Sequence, residues 1–192
     1  MADDERRIIV SIIRETTPTI ILGDLTVEIL AGLALANMYE LYELIPGLLM
    51  IVPGLMSLRG NISSTLAQRI GSALHIGVIS WDLGFNRELK ENVKASIILS
   101  VMAAILLTVG ASLITLITGV KSIGFFGFFT ITFVTIMITT AIQLVITITL
   151  SMYVHKRGID PDNVIIPLIT TMNDVIVVYV LFFVAKFVLT FL

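Results

Sequence analysis

Asp174 lies near the middle of the apolar run from Val164 to Leu192, where an isolated carboxylate is expensive to keep and marks a functional site by default. Thr170 and Thr171 precede it at helical spacing. Thr170 and Asp174 therefore share a face, with Thr171 beside them, so that oxygen ligands form one stripe. Upstream, Asp160-Pro161-Asp162-Asn163 offers Asp162 or Asn163 as an N-cap, with Pro167 in the first turn. Counted from there, Asp174 is about ten residues, or about 15 Å, into the helix, near the midplane of a hydrocarbon core about 30 Å thick. A carboxylate at that depth needs a cation or a proton. The competing assignment is a buried pair with Arg59 or Arg69 that only fixes packing.

A second constellation runs from Pro53 to Arg69, around Gly60-Asn61 with Ser63, Ser64 and Thr65 following. A break there exposes backbone carbonyls and the Asn61 amide oxygen to a passing ligand. Equally, Gly60 and Asn61 only close a kink, Asn61 capping the half-helix that follows. Asp24 and Glu28, four residues apart, share a helical face. They suit a second cation-binding pair, a proton relay, or partners for Arg59 or Arg69. Gln143 and the threonines at 130, 132, 135, 139, 140, 147 and 149 are expected to hydrogen-bond between helices rather than to bind ligand. His75 and His155 belong to no metal-ligand spacing. With no cysteine in the chain, thiolate chemistry is excluded and oxygen is the available metal ligand.

The elements that must position these groups are membrane helices. The chain has 192 residues, 57% of them hydrophobic and only 14% charged, which is the balance of an integral membrane protein rather than a soluble domain. A net charge of −2 without a basic cluster gives no sign of nucleic-acid binding. Five stretches reach the length of about 20 mostly apolar residues that a spanning helix needs: 18–39, 45–75, 95–118, 124–154 and 164–192. The second is interrupted by Pro46, Gly47, Pro53, Gly54, Arg59, Gly60 and Asn61, so the sequence predicts a broken helix sheltered inside a bundle. The polar piece from His75 to Lys94, with Trp81 and Phe85, reads as an interfacial helix.

Arg6, Arg7 and Arg14, then Arg87, Lys90 and Lys94, then Lys156 and Arg157 fall on one side of a five-span layout. The positive-inside bias then predicts a cytoplasmic N-terminus and an outside C-terminus in the cell membrane. Lys186, toward the outer end of the last span, is expected to snorkel. No signal peptide is expected at the charged N-terminus. The organisation predicted is a short cytoplasmic segment at 1–17 and one transmembrane domain at 18–192, all-α throughout.

These residues resemble the MgtE-type magnesium transporters, especially their eukaryotic solute-carrier relatives. The resemblance rests on Pro-x-Leu-x-x-Leu-Arg-Gly-Asn-x-x-x-Thr-Leu-Ala-x-Arg from Pro53 to Arg69, and on Asp-Pro-Asp-Asn-Val-x-x-Pro followed by the membrane Asp, from Asp160 to Asp174. It implies a homodimer of five-helix protomers with the pore on the two-fold axis, Asp174 lining the ion path and Gly60 and Asn61 contributing to it. Thr170 and Thr171 would add oxygen around a hydrated ion. Mg²⁺ would be the transported ion, with Mn²⁺, Co²⁺ or Ni²⁺ competing. Bacterial relatives add cytosolic sensing domains, and the eukaryotic ones carry two such repeats. One repeat alone would have to dimerise. Two other classes remain open on the residues: a non-transporting membrane scaffold in which Asp174 pairs with a partner's arginine, and an intramembrane aspartyl protease using Asp24 and Asp174.

Overall fold

A computed structural model describes residues 25–80, 86–158 and 161–190, the backbone alone at 161–163, and single positions 6, 9, 10, 13 and 17. Asp24, Trp81, Phe85 and Asp160 lie outside the described residues. Among those described, all regular structure is helical: α1 Thr26–Ala36, α2 Tyr39–Leu44, α3 Leu48–His75, α4 Arg87–Thr118, α5 Gly124–Lys156 and α6 Pro161–Leu189. By length and composition α4, α5 and the part of α6 from Val164 to Leu189 can each cross a membrane, which makes the chain a multi-pass membrane protein.

α3 is the central helix, packing against α4, α5 and α6, while α1 lies on α6. Its position explains its composition. A helix surrounded by other helices need not be apolar all round, because protein rather than lipid meets its polar groups. Leu48, Ile51 and Leu55 of α3 interlock with Met38, Phe128, Ile131, Val177 and Leu181 in one apolar core, and Leu66, Ile70 and Leu74 meet Ile79 and Leu89 in another. Outward faces, such as Leu106, Leu113 and Leu116 of α4, are exposed and apolar, as a lipid-facing surface must be.

The predicted break in the second helix is absent. α3 runs unbroken through Pro53, Gly60 and Asn61, about 42 Å at about 1.5 Å per residue. The chain turns before it instead, at Gly47, whose φ of 88° needs a glycine. A Cβ there would also stand 2.7 Å from Cζ of buried Phe128. Pro53 falls in the second turn, where only the Leu49 carbonyl loses its helical partner, too little to break a helix held on three sides.

Two other boundaries move. Arg87 to Lys94 begin the long helix α4, so these residues are not part of an interfacial helix. Asn86 caps α4, its side chain accepting from the Leu89 N–H at 3.0 Å and donating to the Val78 carbonyl at 2.6 Å. α6 starts at Pro161 and carries Pro167 inside it, so Asp162 and Asn163 are helical rather than N-caps. Asp174 is the fourteenth residue of the 29 in α6, still at the middle.

Candidate functional site

Asp174, Thr170, Gly60 and Asn61 line one groove of about 540 Å³, together with Leu35, Leu49, Val52, Pro53, Met56 and Ser57. α6 supplies the carboxylate and hydroxyl, α3 the opposite wall, and α1 the rim at Leu35. Thr170 Oγ1 donates to the Ile166 and Pro167 carbonyls at 3.0 and 2.8 Å, which leaves its lone pairs to face a ligand. Gly60 and Asn61 join as wall rather than as a break: the Asn61 carbonyl accepts from Ser64 Oγ at 3.1 Å and Thr65 Oγ1 at 2.8 Å. The carbonyl released from the helical ladder is that of Leu49, opposite Pro53, and both residues line the groove. Thr171 does not join them. It is buried, and its hydroxyl donates to the Pro167 carbonyl at 2.8 Å.

Glu28 of α1, the helix that packs on α6, lies beside the Asp174 carboxyl. Neighbouring carboxyls inside a membrane call for a cation or a proton. Glu28 is thus placed against Asp174 rather than against an arginine, as is clear from where the arginines go. Arg59, 1% exposed, sends Nη1 to Ser100 Oγ at 2.9 Å and Nη2 to Gln143 Oε1 at 3.4 Å. Arg69 donates through Nε to Asn92 Oδ1. Neither forms the packing pair with Asp174 that the sequence left open.

Behind the groove wall the polar groups continue. Ser63 Oγ donates to Gln143 Oε1, Gln143 Nε2 donates to Asn173 Oδ1 at 2.5 Å, and Asn173 Nδ2 reaches the Met56 carbonyl at 3.3 Å and Asp174 Oδ1 at 3.4 Å. Sequence reasoning passed over Asn173 and Ser100 altogether. The available signal was the set of amides and hydroxyls scattered through otherwise apolar spans, the pattern of groups that must find one another in a bundle. Gln143 and Thr132, Thr135, Thr139, Thr140 and Thr147 are buried; Gln143 bonds across helices and Thr132 Oγ1 lies 2.6 Å from Thr108 Oγ1, whereas Thr139 and Thr140 donate to carbonyls of their own helix.

A larger groove of about 770 Å³ between α5 and α6, from Phe126 to Val188, has Thr130 as its one polar side chain and offers no ion chemistry. His75 and His155 meet edge to face, their ring centroids 5.6 Å apart. Among the described residues no three His, Asp or Glu side chains converge. Lys186 rests over the Phe182 ring, 4.4 Å from its centroid. Asp174, the Thr170 hydroxyl and Asn61 thus bring oxygen groups together at mid-helix in a groove whose other walls are mostly apolar.

Comparison with known proteins agrees in kind. Residues 52–184 match the MgtE family, described as a divalent cation transporter; the chain belongs to that family. It is 24% identical over 184 residues to solute carrier family 41 member 2 of Homo sapiens and of Mus musculus, and 25% identical to that of Gallus gallus. The aligned region covers 88% of this chain and 30% of each relative, so the chain spans about a third of the length of the curated relatives it matches. No solved structure matches it.

Proposed function

We propose that this chain moves a divalent cation, Mg²⁺ first, along the groove lined by Asp174, as one half of a homodimeric pore. The observation that carries the reading is the meeting of Asp174 and Thr170 with Gly60 and Asn61 in a single groove, in a chain whose family is one of divalent cation transporters. Mg²⁺ keeps most of its water and takes one or two carboxylates in octahedral geometry. Asp174, Glu28, the Thr170 hydroxyl, the Asn61 amide and the Leu49 carbonyl suit a hydrated ion of that kind. Thr171 supports the site from behind by fixing the α6 backbone. Mn²⁺ and Co²⁺, which accept the same ligands, compete.

The groove is open along one side, and a second copy across a two-fold axis closes it and brings a second Asp174 to face the first. In this reading α1, with the segment before it, and α3 complete five spans, with the N-terminus cytoplasmic and the C-terminus outside. Transport, not catalysis, is the activity. Reconstitution into proteoliposomes tests it: a dimer by light scattering, with Mg²⁺ uptake above protein-free vesicles, is expected. A strictly monomeric protein, or a dimer that leaves Mg²⁺ outside, refutes it.

A further inference from the structure

Arg59 of α3 is a buried cation that faces α4 and α5, with no carboxylate on its guanidinium among the described residues. Its hydrogen bonds run to Ser100 and Gln143, and its Nε finds no partner. An arginine has only donors, so the group facing it must be an acceptor. Gln143 must turn Oε1 toward Arg59 and Ser63, which forces its Nε2 toward α6. There it meets Asn173, which must in turn present Oδ1 to it. Asn173 is 0% exposed and has one amide group left, Nδ2, which can point only at the Met56 carbonyl and Asp174 Oδ1. Each amide is oriented by the one before it. A neutral amide chain without Arg59 could run in either sense; with Arg59 at its head it can run only toward Asp174.

We propose that Gln143 and Asn173 are positioning residues of the Asp174 site, forming a hydrogen-bond chain whose sense is imposed by buried Arg59 and which ends as a donor on the Asp174 carboxyl. The consequence is geometric. One oxygen of Asp174 is held from inside the bundle, so the other is presented to the groove in a fixed rotamer, and the positive end of the chain lies behind the carboxylate rather than in the ion path. Hydrogen bonds to a charged group contribute more than neutral ones, and a polarised series is cooperative. For its transport arm the proposal rests on the reading of Asp174 as an ion-path residue; for its orientation arm it does not.

The test uses Asn173→Leu and Gln143→Met, near-isosteric and neutral, which cut the chain at different links and leave Arg59 on Ser100. Two quantities are read on the full-length protein: the infrared carboxyl band of Asp174, assigned by difference against Asp174→Asn, and the apparent KM for Mg²⁺ uptake per folded transporter. Each variant is expected to shift the band and to raise the KM about tenfold, the scale of one hydrogen bond to a charged group, with a smaller change in maximal rate. The double variant is expected to be no worse than either single one, because two cuts in a series interrupt it once. Thr108→Val, which breaks the buried Thr108 to Thr132 contact, should lower stability and leave the KM alone. Folded variants with the wild-type band and KM, or shifts that sum in the double variant, overturn the proposal. If the wild type moves no Mg²⁺, the transport reading falls while the infrared arm still decides the chain; if one variant does not fold, the other decides.

Discussion

Replacing Gly60 by alanine separates the unbroken α3 from the broken helix that its sequence suggests. In a continuous helix interior glycine is about 1 kcal/mol less favourable than alanine. The gain is realised only if the methyl group fits. A Cβ built on Gly60 finds Asn173 Nδ2 as its nearest neighbour at 3.8 Å, an ordinary contact with no compensating clash. Gly60→Ala is therefore expected to stabilise the protein by up to ~1 kcal/mol, raising the unfolding midpoint by about 2–4 °C for a chain of this size. Thermal unfolding in detergent, at fixed protein concentration because the midpoint of any associating protein depends on it, reads the effect. The same methyl enters the groove wall beside Asp174, so Mg²⁺ uptake should fall while stability rises. A loss of stability refutes the reasoning, since alanine is disfavoured there only if Gly60 holds a backbone conformation closed to other residues.

Gly47→Ala should act in the opposite direction. Its φ of 88° and the Phe128 ring 2.7 Å from the new Cβ predict a loss of at least about 1 kcal/mol in the same thermal assay. Glu28→Gln, which leaves Asp174 as the one remaining charge of the pair, should weaken the apparent Mg²⁺ affinity about tenfold, or ~1.4 kcal/mol, read as the concentration dependence of uptake; an unchanged dependence removes Glu28 from the ion path.

The membrane class, the long helices at 124–156 and 164–189 and the mid-helix depth of Asp174 were legible because they depend on run length and hydropathy, which neighbours do not alter. The grouping of Thr170 with Asp174 follows from helical period alone. The continuity of α3 was not legible: Pro53 and Gly60 weaken a helix in isolation, and only the helices around α3 make the weakness tolerable. For the same reason Arg59 suggested a carboxylate partner, whereas its acceptors, Ser100 and Gln143, lie 41 and 84 residues away on helices whose rotation no local pattern fixes. Glu28 lies beside Asp174 because α1 packs on α6, a tertiary choice. Thr171 shows the limit of spacing arguments: one position along the helix, about 100°, turned it from the groove into the wall.

The central claim is that the Asp174 carboxylate lies on the path of the ion. Mg²⁺ uptake into proteoliposomes by the wild type and by Asp174→Asn, at matched content of folded protein, tests it most directly, since the substitution keeps shape and removes charge. The account predicts robust uptake by the wild type and uptake near that of protein-free vesicles by the variant. Equal uptake by the two would contradict it and leave Asp174 as a residue of helix packing.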